Sequence, residues 1–199
     1  MKRMGKFFVL MGKSATGKDT IFKELVKNQH FPLNIVIPYT TRPIREGEKN
    51  GVEYFFVSNE QYYRFQKEKK IIESREYNTI HGIWRYFTLY DQQINLDKKN
   101  YIMINTLEGY KQIRDFFGAS AVVPIYIQVE DGLRLTRALQ REREQKEPKY
   151  AELCRRFLAD AEDFSKEKLG NAGIEKYYEN IDISHCMKEI LEDIKICWE

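Results

Sequence analysis

An apolar run, Phe7 to Met11, leads directly into Gly12-Lys13-Ser14-Ala15-Thr16-Gly17-Lys18, and an amphipathic stretch follows. Glycines at both ends of such a loop let the backbone turn so that successive N–H groups face one anion. The N-terminus of the following helix adds its partial positive charge. Lys18 would reach the outer phosphates of a nucleoside triphosphate. The residue after the lysine is Asp19, with Thr20 next, where a phosphate-binding loop usually places the serine or threonine hydroxyl that holds Mg²⁺. A bare carboxylate beside a triphosphate is repulsive unless a cation lies between them, or the helix dipole and Lys18 offset it; on the first reading Asp19 is expected to serve Mg²⁺. The alternative for Asp19 is an acidic first-turn residue that stabilises its helix. For the loop as a whole the alternative is a glycine turn with an exposed lysine, against which the flanking strand and helix argue.

A second phosphate grip is legible further on, in Tyr39-Thr40-Thr41-Arg42-Pro43-Ile44-Arg45-Glu46-Gly47-Glu48-Lys49-Asn50-Gly51-Val52-Glu53-Tyr54. Guanidinium forks at Arg42 and Arg45, the Tyr54 hydroxyl and a turn at Gly47 can converge on one phosphate monoester, because guanidinium matches phosphate oxygens two at a time. Later, Arg137 and Arg141 lie one helical turn apart on one face, and Arg156 lies on the next helix. Their bland alternative is a solvated helix pair with salt bridges to Glu142, Glu144 and Glu152.

The block T-T-R-x-x-R-x-G-E-x-x-G-x-x-Y resembles the guanylate kinase family, and further pieces follow in that family's order across nearly the whole chain. The resemblance implies that residues 12–20, namely Gly12, Lys13, Ser14, Ala15, Thr16, Gly17, Lys18, Asp19 and Thr20, hold ATP, with Asn180 beside its adenine. It implies that Arg42, Arg45, Glu48 and Tyr54 bind the phosphate of GMP, helped by His81 where the family has a tyrosine. Glu73 would accept hydrogen bonds from the guanine base, for which an exposed strand charge is the alternative. Lys18, Arg137, Arg141 and Arg156 would act on the transferred phosphoryl group, neutralising charge on its equatorial oxygens. The implied reaction is ATP-dependent phosphorylation of a nucleoside monophosphate, GMP to GDP, with Mg²⁺, by a monomer or homodimer.

Four places depart from the family pattern. Pro38 replaces a serine near the base, Ile83 replaces a Thr or Ser that contacts guanine, and His81 replaces the tyrosine. The strand Tyr101-Ile102-Met103-Ile104-Asn105-Thr106 carries no aspartate at Ile104 or Thr106, where the family has two. These departures keep two alternatives open: a kinase for another small phosphorylated acceptor, and a nucleotide- or phosphopeptide-binding module with weakened catalysis.

Elements of two kinds must position these groups. Apolar runs at Phe7 to Met11, Asn34 to Ile37, Tyr101 to Ile104 and Val122 to Val129 alternate with helical material, which predicts an α/β core with a mainly parallel sheet. Helix faces are predicted at Ile21, Leu25 and Val26 and again at Met187, Ile190, Leu191 and Ile194. Between them, Val52 to Val57 and Ile71 to Tyr77 predict short antiparallel strands, and Ser58 with Gln61 a capping box. A core of 1–37, 91–132 and 165–199 is therefore expected, with an inserted acceptor-binding α+β subdomain at 38–90. A helical lid is expected at 133–164, largely exposed and broken near Pro148. The net charge of +3 over 199 residues gives no global field for nucleic acid. Three cysteines without paired spacing suit a reducing cytoplasm, and no run is long enough for a membrane span.

Overall fold

The computed structural model of the chain describes residues 4–79 and 82–198. Strand β1 (Phe7–Gly12) is buried along its whole length, with no exposure at any of Phe7, Phe8, Val9, Leu10 and Met11. Continuous burial, rather than alternation, is what a strand covered on both faces requires. Each such side chain contributes about 1.5–3 kcal/mol relative to exposure. The remaining elements, in chain order, are α1 (Lys18–Lys27), β2 (Leu33–Ile35), β3 (Tyr39–Thr40), β4 (Phe55–Phe56), α2 (Asn59–Lys67), β5 (Ile71–Thr79), β6 (Gly82–Leu89) and β7 (Asn100–Ile104). They continue with α3 (Leu107–Phe117), β8 (Val122–Gln128), α4 (Asp131–Arg143), α5 (Tyr150–Asp163), α6 (Lys166–Asn171), β9 (Tyr177–Glu179) and α7 (Ile183–Trp198). A five-stranded sheet runs in the order β2-β7-β1-β8-β9, and a four-stranded sheet in the order β4-β3-β6-β5. The fold is α/β, with helices between the strands of the larger sheet.

The described chain divides into two compact units, one of 4–7, 34–103 and 108–123, the other of 8–33, 104–107 and 124–198. In the first, β5 and β6 form a long antiparallel ribbon from Ile71↔Leu89 to Thr79↔Gly82, and β6 pairs antiparallel with β3. Tyr62, Phe87 and Leu89 form its core, with Tyr39, Val57, Phe65 and Ile71 packed around them. Helix α2 opens on the expected capping box: the Ser58 side chain accepts from the Gln61 amide while the Gln61 side chain accepts from the Ser58 amide. The expected antiparallel strand over Val52 to Val57 is corrected. Only β4 forms, and it runs parallel to β3. Residues 41–54 supply the dozen or so residues that a parallel return needs, and Phe55 N–H donates to the Pro38 carbonyl at 2.9 Å.

In the second unit β8 and β9 pair in parallel, and α7 packs against β9 with Cys186, Ile190 and Ile194 buried. Ile21 and Leu25 are the buried face of α1. Helices α4 and α5 flank Pro148 as expected, but they are less exposed than their composition predicts, because Arg134 and Leu153 are buried. No helix among the described residues is long and apolar enough to cross a membrane.

Candidate functional site

The turn from β1 into α1 is held open by strained backbone and tied down by side chains. Gly17 sits at φ 82°, ψ 10°, and Ala15 at φ 62°, a left-handed conformation that costs a non-glycine residue roughly 1–2 kcal/mol. Thr16 is buried, and its Oγ1 donates to the Lys13 carbonyl at 2.9 Å. Asn180 Nδ2 donates to the Thr16 carbonyl at 2.8 Å. Gly17 caps α1 with no side-chain hydrogen bond, so the first amides of the helix have no side-chain acceptor and can meet an anion. Burial pulls the Lys18 ammonium below its ordinary pKa, with Asp19 and Asp160 opposing the shift.

Ser14, Ala15, Lys18, Asp19, Arg141 and Arg156 line one open cleft of about 910 Å³. The loop lysine and an arginine from each of α4 and α5 thus share one space, large enough for a nucleotide's phosphates. Asp19 and Thr20 are exposed on the first turn of α1. Arg137 stands apart from this cleft lining: its Nη1 donates to the Asn180 carbonyl at 3.1 Å. Asn180 itself is 4% exposed and is engaged with the loop. Lys13 turns to Asp131 at 3.4 Å.

Inside the same unit lies a group with no counterpart among the sequence-derived candidates. Arg134 is 1% exposed, the largest of the fully buried side chains. Its Nε donates to the Ser14 carbonyl at 3.0 Å, its Nη1 to Asp131 and its Nη2 to Asp160 Oδ2 at 3.2 Å. The one available signal was an arginine seven residues before Arg141, and so on the same helix face.

In the first unit, Glu48 organises the second cluster. Its Oε1 accepts from Arg42 Nη2 at 2.8 Å and its Oε2 from Arg42 Nη1 at 3.0 Å and from the Arg45 amide at 2.8 Å. Those bonds, the Arg42 pair first, hold the Glu48 carboxyl below its ordinary pKa. Arg42 is 3% exposed and stacks at 5.6 and 5.5 Å from the Tyr54 and Phe56 ring centroids, and its Nε has no hydrogen-bond partner. Burial raises the Tyr54 phenol above its ordinary pKa, with Arg75 and Arg42 opposing. The Arg45 side chain is exposed.

Glu73 is 1% exposed, which overturns the alternative of an exposed strand charge. Its Oε1 accepts from Thr88 Oγ1 at 2.8 Å and its Oε2 from Arg75 Nε at 3.1 Å. Arg75 and Thr88 were not legible as partners, because Thr88 arrives from β6 and Arg75 reads locally as an ordinary strand cation. Ile83 is 42% exposed. Ile104 ends β7, and the buried Asn105 beside it accepts the Thr106 amide at 2.8 Å. His81 lies outside the described residues. Among the described residues no cluster of three His, Cys, Asp or Glu side chains could hold a metal ion.

The family model described as guanylate kinase matches residues 4–187. Among curated relatives, the chain is 31% identical over 128 residues to a guanylate kinase of Malacoplasma penetrans, covering 63% of each protein. It is 31% identical over 120 residues to one of Bacillus subtilis, covering 59% of this chain and 56% of that protein. The chain thus spans less than two thirds of the length of these relatives. A crystal structure of guanylate kinase from Anaplasma phagocytophilum has the same fold, with a TM-score of 0.64 at 22% identity over 98% of this chain and 87% of that one.

Proposed function

The chain belongs to the guanylate kinase family, and from that premise we propose that it transfers the γ-phosphoryl group of ATP to a nucleoside monophosphate, GMP giving GDP, with Mg²⁺. The observation that carries the proposal is the cleft shared by Lys18, Arg141 and Arg156. A transferring phosphoryl group spreads negative charge over three equatorial oxygens, and cations placed beforehand around that position stabilise it without reorganisation. A module that only bound nucleotide would have little use for such a clamp.

In this reading the loop amides of residues 15–19 and Lys18 seat the triphosphate, while the Ser14 amide stays on Asp160, and Arg141 and Arg156 close on the moving group. Arg137 and Asn180 support the loop from behind, where Arg137 donates to Asn180 and Asn180 to Thr16. Arg42, Arg45 and Tyr54 hold the acceptor phosphate, with Glu48 fixing the Arg42 fork, and His81 joins them. Glu73 receives the base. Mg²⁺ bound through nucleotide phosphates needs only one or two protein carboxylates, and Asp19, exposed on the first turn of α1 in the same cleft, fits that requirement. When bound, the metal neutralises phosphate charge. Because Glu73 is already paired with Arg75 and Thr88, a second reading is an acceptor other than GMP. The test is ATP consumption against a panel of nucleoside monophosphates. GMP is expected to be the preferred acceptor; preference for AMP or a pyrimidine nucleotide would keep the kinase and overturn the base assignment.

A further inference from the structure

We propose that Arg134 and Asp160 are positioning residues that fasten the Ser14 corner of the phosphate loop to both lid helices, and thereby hold Arg141 and Arg156 in register with Lys18. The kinetic consequence rests on the phosphoryl transfer proposed above; the fastening itself does not.

An arginine at 1% exposure must have partners for its donors, and Arg134 finds them at the loop and at the two helices. Its Nε holds the Ser14 carbonyl, and its Nη2 holds Asp160. The guanidinium lies 4.6 Å from the ring centroid of Phe157 on α5. Asp160 closes the circuit, since its Oδ2 also accepts the Ser14 amide at 2.7 Å. Both main-chain groups of Ser14 are therefore engaged by this one ion pair, immediately before the strained Ala15. The clamp residues share helix faces with the cleft arginines. Arg141 lies seven residues, about 10 Å, beyond Arg134 on α4, and Arg156 lies one turn, about 6 Å, before Asp160 on α5. A shift at the Ser14 corner is passed along two rigid helices to the groups that meet the transferring phosphoryl.

A merely structural ion pair predicts something different. Buried pairs exchanged together for apolar residues commonly leave stability unchanged or raised, so Arg134→Leu combined with Asp160→Ala should stay folded. If the pair positions the arginines, that variant loses turnover about 10–100-fold, because displacements near 1 Å cost that much in an aligned reaction. Its KM for the acceptor stays the same. Asp160→Asn, which keeps an oxygen for the Ser14 amide, should recover part of the loss relative to Asp160→Ala. Amide exchange at Ser14, followed by NMR without ligand, should be slow in the unmodified protein and fast in the double variant. A double variant with unmodified turnover, or unchanged Ser14 protection, overturns the proposal. If the unmodified protein phosphorylates no nucleoside monophosphate, the functional reading fails, and Ser14 exchange still decides the clamp by itself.

Discussion

Gly17→Ala is a substitution whose cost can be worked out from the structure and checked against an internal control. The backbone at Gly17 has φ 82°, and an added Cβ would lie 2.5 Å from Asn180 Nδ2. At Gly118, φ is 87° and a Cβ would meet nothing within 4 Å. Conformational strain is therefore common to both sites, at roughly 1–2 kcal/mol, of which about 0.4–1 kcal/mol is offset by the stiffer unfolded chain. Gly118→Ala should cost about 1 kcal/mol on that basis. At Gly17 the clash must also be relieved. The Asn180 backbone N–H donates to the Gln128 carbonyl at 2.9 Å and the residue is 4% exposed, so its side chain cannot move without releasing the Thr16 carbonyl. A buried carbonyl left unpaired adds about 1–3 kcal/mol, so Gly17→Ala should cost about 2–4 kcal/mol in urea unfolding at unchanged m-value. Adding Asn180→Ala removes the obstacle, and the two substitutions should be non-additive by about 1 kcal/mol or more. If Gly17→Ala proves no more costly than Gly118→Ala, Asn180 does not brace the loop as described.

Three further outcomes are expected. Arg42→Ala should weaken acceptor binding by about 2–4 kcal/mol, measured by calorimetry, because a desolvated charge-assisted fork is lost, and ATP affinity should stay within error. Equal losses for both ligands would contradict the assignment. Asp19→Ala in a Mg²⁺ titration should lower turnover and raise the metal requirement at nearly unchanged stability; a retained rate with a slightly earlier melt would leave Asp19 as a helix-end residue. Burial pushes the Cys186 thiol up to about 11, so the folded state keeps a proton that the unfolded thiol loses near 8.5. Its contribution to stability is full below pH 8.5 and is lost as pH rises through 11. At pH 8 a thiol reagent should label exposed Cys154 in the native protein and Cys186 only after unfolding; native labelling of Cys186 would contradict its burial.

What was legible in the sequence was chemistry carried by neighbours in the chain. The uniform apolarity of Phe7 to Met11 announces a strand covered on both faces, and the glycine loop next to it announces its own turn. Ser58 and Gln61 lie three apart and cap one helix as their spacing requires. Arg42 and Glu48 are marked by the motif they share, although their pairing within one loop is not read from it. What was hidden depended on partners distant in sequence. Thr88 reaches Glu73 across 15 positions, Arg134 reaches Asp160 across 26, and Asn180 reaches Thr16 across 164.

The same distinction explains why three arginines that look alike on α4 take different places. Arg134, Arg137 and Arg141 recur at helical spacing, and composition alone assigns all three to solvent. Along the helix they meet different surroundings. Arg134 meets the Ser14 carbonyl and two aspartates and is buried, Arg137 meets the Asn180 carbonyl and stops there, and Arg141 faces the open cleft. A guanidinium that already has fixed acceptors can orient a loop but has fewer donors to offer a phosphate, whereas the Arg141 side chain makes no hydrogen bond or ion pair among the described residues. Division of labour along the helix follows from which acceptors lie within reach, so loss of Arg141 should fall on turnover and loss of Arg134 on loop geometry first.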